Sequence, residues 1–128
     1  MFKKFYIYII MFSLFNSPTK SNYEKLVYDF KFNDINGSIL SLDKYRNKVI
    51  LITNVASYCG FTNQYEDLQT LWDQYKKKGL IVIGTPSNDF GKQEPGTNKE
   101  IKKFCEVNFG ISFPITEKIS VKGDNAHP

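Results

Sequence analysis

Cys59 occupies the place in this chain best suited to chemistry. It stands in Asn54-Val55-Ala56-Ser57-Tyr58-Cys59-Gly60-Phe61-Thr62, after a β-branched apolar run and before a helical pattern. Unpaired backbone N–H groups and the positive end of a helix dipole at such a place favour thiolate over thiol, and thiolate is the attacking form. A free cysteine has a pKa of about 8.5, so stabilisation there raises the reactive fraction near neutral pH. The same position also suits an inert core cysteine, which packs as a small apolar residue. Position alone leaves both readings open.

The remaining inventory is small. There is one other cysteine, Cys105, and one histidine, His127, in the last two residues. No zinc-type ligand set can be assembled from these. Two distant cysteines are also too few for a disulfide scaffold of the secreted kind, which leaves redox chemistry or plain burial.

The elements around the cysteines are legible from pattern. Leu26 to Asp34 (LVYDFKFND) alternates apolar and polar side chains and predicts a half-buried strand. Asn36-Gly37, followed by Ile39, Leu40 and Leu42, turns that strand into a β-hairpin. Val49 to Ala56 and Leu80 to Gly84 are apolar on both faces, as expected for strands covered by helices on both sides. Between them Tyr65, Leu68, Leu71, Trp72 and Tyr75 recur at helical spacing, with Thr62 or Asn63 able to cap the start and Gly79 the end. A strand, helix, strand unit of this kind implies a parallel pair. Trp72 belongs to the apolar stripe of that helix.

Thr97-Asn98-Lys99-Glu100 is a capping box opening a second helix, on which Ile101, Phe104, Cys105 and Asn108 share a face and which Gly110 ends. After Pro114 come Ile115, Ile119 and Val121, a short strand-like stretch with a Lys122-Gly123-Asp124 turn. With nothing following it, this stretch is expected to lie at an uncovered sheet edge.

With 128 residues, 41% of them hydrophobic and 16% aromatic, the chain suits one core and not two. Of the net charge of +4, Lys3, Lys4 and Lys20 account for three units, which argues against a nucleic-acid partner. Lys76, Lys77 and Lys78 sit at a helix end just before Gly79, where cations complement the terminal carbonyls. Phe5 to Phe15 is almost wholly apolar and follows Lys3 and Lys4, matching the basic and apolar regions of a signal peptide while being too short to span a bilayer. Residues 1–21 are therefore expected to be a targeting segment leading into the secretory pathway or an organelle, with the cytoplasm as the alternative, and no stable membrane span is expected in the mature chain.

Two long motifs now bear on Cys59. Asn54 to Thr62 resembles the signature around the peroxidatic cysteine or selenocysteine of the glutathione peroxidase family, and Gly84-Thr85-Pro86-Ser87-Asn88-Asp89-Phe90-Gly91-Lys92-Gln93-Glu94-Pro95 resembles the second signature of that family. The similarity extends from Leu26 to Pro128 and includes Phe113-Pro114-Ile115 and Ala126-His127-Pro128. It implies an α/β, thioredoxin-like fold with an N-terminal β-hairpin over residues 22–128. In the family a Gln, a Trp and an Asn assist the peroxidatic residue. The Gln matches Gln93, whose amide would donate a hydrogen bond to sulfur or peroxide. The Trp and Asn lie in a Trp-Asn-Phe motif with no counterpart here, so the fold is expected to lack its C-terminal part. Thr85 replaces a Phe of the second signature, and Asp89 a Gln.

Cys105, in Phe104-Cys105-Glu106, resembles the resolving cysteine of the sulfur-using members, the thioredoxin-dependent type; a merely buried helical cysteine is the other reading. A disulfide needs Cα atoms within about 7 Å, so pairing with Cys59 calls for local unwinding of the 97–109 helix. What the resemblance implies is a thiol peroxidase acting on hydrogen peroxide and organic hydroperoxides through a sulfenic acid and a Cys59–Cys105 disulfide, without metal, haem or flavin, with thioredoxin or glutathione as reductant. A peroxide sensor that oxidises a partner protein and a catalytically idle truncated member are the rival readings.

Overall fold

The computed structural model describes residues 24–128, so the expected targeting segment lies outside the described residues. Six regular elements follow one another: β1 (Lys31–Asn33), β2 (Ile39–Ser41), β3 (Val49–Val55), α1 (Gln64–Tyr75), β4 (Leu80–Pro86) and α2 (Asn98–Phe109), with single 3-10 turns at Val27–Asp29, Leu42–Tyr45 and Lys76–Lys78. No helix among the described residues is long and apolar enough to cross a membrane.

The hairpin forms where Asn36-Gly37 places it. β1 and β2 pair antiparallel, Gly37 takes a left-handed φ of 86°, and Asp34 Oδ1 accepts the N–H groups of Asn36 and Ser38, both at 2.9 Å. The first strand is shorter than its alternation predicts. Asp29 turns its carboxylate back onto the N–H of Leu26 at 2.7 Å while its own N–H bonds the Leu26 carbonyl, and this local closure competes successfully with a ladder.

β3 and β4 form the expected parallel pair, in register from Val49 opposite Leu80 to Val55 opposite Pro86. Their burial differs. β4 is buried from Ile81 to Pro86, whereas β3 leaves Val49 70% and Ile52 40% exposed, so the prediction of cover on both faces holds for β4 and fails for β3. Among the described residues β3 pairs along one edge only. The other edge of β4 is taken by the chain after Pro114: Gly84 N–H donates to the Pro114 carbonyl and Thr116 N–H to the Gly84 carbonyl, each at 2.9 Å. That same segment bonds the hairpin through Ile35 N–H to the Ile115 carbonyl and Glu117 N–H to the Asn33 carbonyl. Ile115 is accordingly buried, contrary to the uncovered edge expected there.

Both helices end where their punctuation says. Gly79 and Gly110 adopt left-handed conformations after α1 and α2, and Thr97 and Glu100 form the capping box, Thr97 N–H reaching Glu100 Oε2 at 2.7 Å. Asn108 departs from the apolar face assigned to it and folds its amide onto the Phe104 carbonyl at 2.9 Å. One cluster joins Tyr65, Val82, Ile101, Cys105, Ile111, Phe113 and Ile115; a second joins Phe32, Leu40, Leu42, Ile81 and Ile83; Trp72 packs against both.

Gly84 lies where the segment after Pro114 crosses β4. A Cβ there would stand 3.3 Å from Phe113 Cε2 and 3.6 Å from Val55 Cγ2. Gly84→Val should therefore lower stability by about 1–3 kcal/mol through overpacking. Chemical denaturation would show it as a lower midpoint at unchanged slope, and an unchanged midpoint would contradict the close packing described.

Candidate active site

Cys59 lies on a run of tight turns between β3 and α1. Thr62 organises that run: its hydroxyl oxygen accepts the Cys59 N–H at 2.9 Å and lies 2.7 Å from the Cys59 carbonyl and 3.1 Å from that of Ala56. Successive bonds from Thr62 N–H to the Cys59 carbonyl and Gln64 N–H to the Phe61 carbonyl lead into the helix. Phe61 N–H points at Cys59 Sγ, 3.4 Å away, and is one of the backbone donors expected at this place. Cys59 is partly exposed and borders a cavity of about 70 Å³ whose walls include Asn54, Val55, Phe61, Thr62, Tyr65 and Leu68. Such a volume admits a group of a few heavy atoms, since one water in the liquid takes about 30 Å³.

The loop after β4 closes over this turn. Gln93 is partly buried, and its carbonyl accepts the Tyr58 N–H at 3.0 Å; its side chain is not among the cavity walls. Next to it, Glu94 is completely buried, with Oε2 accepting from Ser57 N–H at 2.8 Å and Ser57 Oγ at 3.1 Å. Burial pushes the Glu94 carboxyl above its ordinary value, opposed by the two Ser57 bonds and by the charge of Lys118. The loop holds its shape through Asn88 Oδ1, which accepts the Glu94 N–H at 2.9 Å, and through left-handed Gly91 and Lys92. Lys118 Nζ donates to the Gly96 carbonyl at 2.6 Å.

Thr85 and Asp89 have local roles. Thr85 is buried and its hydroxyl ties β4 to β3 at the Thr53 carbonyl and Asn54 Oδ1, at 3.0 and 2.9 Å. Asp89 Oδ2 accepts from Ser120 Oγ, Val121 N–H and Lys122 N–H, and these bonds hold its carboxyl below the usual range.

Cys105 is fully buried on α2, and the two cysteines are not bonded. Burial pushes its thiol up to about 11; Tyr65 opposes the shift, and the charges of Glu94 and Glu106 add to it. Tyr65 stands between the cysteines, since it lines the Cys59 cavity and packs with Cys105 in the core. Its hydroxyl is buried beside the Cys105 thiol.

Glu94, Thr62 and Tyr65 had no site role in the sequence. Glu94 stood inside a recognised motif, and that was its only signal. Thr62 was legible as a cap and Tyr65 as one apolar residue of a helical stripe.

At pH 7.5 a thiol-alkylating reagent should modify Cys59 and spare Cys105. A pKa of about 11 alone lowers the thiolate fraction of Cys105 roughly 300-fold relative to an ordinary free cysteine, before burial is counted. Peptide mapping after a short exposure checks this, and equal labelling of both cysteines would show that α2 does not cover Cys105.

Residues 27–128 match the family described as glutathione peroxidase. The hydroperoxy fatty acid reductase of Synechocystis is 49% identical over 102 residues, which are 80% of this chain and 60% of that protein. A crystal structure of Trgpx in its apo form superimposes with a TM-score of 0.63 at 35% identity, covering 83% of this chain and 61% of the other. A thioredoxin-family thiol:disulfide interchange protein of Chlorobium tepidum shares the fold alone, with a TM-score of 0.57 at 16% identity over 69% of this chain and 56% of its own. This chain thus spans about three-fifths of the length of the Synechocystis protein and of Trgpx. With residues 27–128 matched to that family and a thioredoxin-like α/β fold, the chain belongs to the glutathione peroxidase family.

Proposed function

We propose that the chain is a thiol peroxidase for hydrogen peroxide and organic hydroperoxides, with Cys59 as nucleophile. The observation that carries this reading is the placement of Cys59, partly exposed at a small cavity with its Sγ facing the Phe61 N–H. The name of the Synechocystis relative supports hydroperoxides as the substrate class.

In the proposed cycle the Cys59 thiolate attacks the distal peroxide oxygen. An S–O bond forms as the O–O bond breaks, the leaving oxygen takes a proton, and water or an alcohol departs while Cys59 becomes a sulfenic acid. The Gln93 amide assists by donating to sulfur or peroxide once substrate is bound. Cys105 then attacks the sulfenic sulfur, a disulfide forms and water leaves. A dithiol protein of the thioredoxin type returns both cysteines to thiols; glutathione is the alternative reductant.

The buried state of Cys105 sets a condition on the second step. A fully covered thiol with its proton held by burial neither reaches Cys59 nor attacks, so α2 must open locally. Opening rehydrates the thiol and brings its pKa back toward about 8.5, which couples access to activation.

Cys59→Ser should abolish peroxide consumption at unchanged far-UV circular dichroism, and a retained rate would sink the assignment. Cys105→Ser should consume one equivalent of peroxide and then stall with thioredoxin, because the sulfenic acid has no internal partner. Unchanged turnover in that variant would make Cys105 structural and place reduction directly at Cys59.

A further inference from the structure

The hydroxyl of Thr62 stands where a helix cap would use it, and it is used elsewhere. α1 begins at Gln64, and Asn63 before it makes no side-chain cap bond. A side-chain cap ordinarily stabilises a helix start, so leaving it unmade is a cost. Thr62, the other residue able to cap, turns its oxygen back onto the segment that carries Cys59. That oxygen accepts the Cys59 N–H at 2.9 Å. Its single proton is within reach of the carbonyls of Cys59 at 2.7 Å, Ala56 at 3.1 Å and Ser57 at 3.4 Å. The Thr62 N–H also donates to the Cys59 carbonyl, at 3.1 Å. One threonine thus holds both main-chain groups of one cysteine.

We propose that Thr62 is a positioning residue for the nucleophile, which aims Cys59 Sγ at the Phe61 N–H and the neighbouring cavity by fixing the cysteine main chain at both ends. The main chain sets the direction of the Cα–Cβ bond, and with that direction fixed the sulfur has only a few staggered positions to choose from. In the position it takes, the Phe61 N–H lies 3.4 Å from Sγ. A hydrogen bond weakens steeply once it is bent, so this donor serves a thiolate only while the turn keeps its shape. Thr62 also takes the Cys59 N–H for its own oxygen, which leaves the N–H two residues further on to meet the charge on sulfur. Because the aim of Sγ matters only if Cys59 is the attacking group, this inference rests on the reading of Cys59 as the peroxide nucleophile.

Valine has the shape of threonine without the hydroxyl, and that separates positioning from packing. In Thr62→Val the Cys59 N–H would face a methyl group and the three carbonyls would lose their shared donor, while the volume beside the cavity stays the same. In Thr62→Ser the hydroxyl returns and only the methyl is lost. A role served by packing ranks valine above serine; a role served by the hydroxyl ranks serine above valine.

The test uses the intact 128-residue chain labelled with isotopic nitrogen at cysteine alone, whose two cysteines give two amide signals, assigned with the Cys105→Ser chain. In the wild type the Cys59 amide should exchange with solvent deuterium about ten-fold or more slowly than in the urea-unfolded chain, the effect of one hydrogen bond. Thr62→Val should lose that protection and should lower the rate at which hydrogen peroxide oxidises the Cys59 thiol about ten-fold, at unchanged far-UV circular dichroism. Thr62→Ser should recover both quantities to within about three-fold of wild type. Wild-type exchange and oxidation in Thr62→Val, or no recovery in Thr62→Ser, would overturn the proposal. If Thr62→Val does not fold, the other two chains decide: a protected amide and a near-wild-type oxidation rate in Thr62→Ser support it, and an unprotected Cys59 amide in the wild type or an impaired serine variant refutes it. Should the wild-type chain fail to react with peroxide, the nucleophile reading falls while amide exchange still shows whether Thr62 holds Cys59, so the two failures are distinguishable.

Discussion

A buried carboxylate accepting both the N–H and the hydroxyl of one serine is the contact on which the site depends. Ser57 and Glu94 are both inside the protein, and their two bonds tie the strand end that presents Cys59 to the loop that carries Gln93. Bonds of this kind are strong because burial removes competing water, and for the same reason they are costly to leave half made. Around this contact the weaker ones fall into place. The Tyr58 N–H meets the Gln93 carbonyl, Asn88 braces the Glu94 N–H, and Lys118 gathers the carbonyls of residues 94–96.

The two cysteines meet opposite physical requirements. Cys59 stands on turns, beside a small cavity, with a backbone donor on its sulfur and the exposed rings of Tyr58 and Phe61 on either side. Cys105 sits in the core under Tyr65, Ile101 and Phe113, where desolvation keeps its proton in place. A partly exposed thiol and a buried one thus share a protein of modest size. What separates them is packing on α2, a helix whose start is secured by a capping box and whose inner face is apolar.

Local signals were the readable ones. Thr97 and Glu100, three residues apart, announced the start of α2, and Asn36-Gly37 announced the hairpin, because the interactions that decide those features are contained within a few residues. The strand expected from Leu26 failed for the same reason in reverse: Asp29 closes on Leu26, and alternation of side chains cannot reveal which of two local closures wins. Exposure of β3 and burial of Ile115 were unreadable because both depend on which segment lies along which strand edge. Within the site, Cys59 declared itself by position and motif. The part of Glu94 did not, since a glutamate in a loop looks solvated until the partner that buries it, Ser57, is known.

The Ser57 and Glu94 contact also spans 37 residues of chain. During synthesis Cys59 and its turn leave the ribosome well before Glu94 does, and β4, which supports the loop carrying Glu94, comes between them. Until that second loop arrives, the turn around Cys59 has only local bonds such as those of Thr62 to shape it. The geometry that distinguishes this cysteine is therefore acquired late, by closure of a long loop, at a stage when such closures govern folding rate. The nascent chain passes through its most exposed interval with the turn around Cys59 not yet braced.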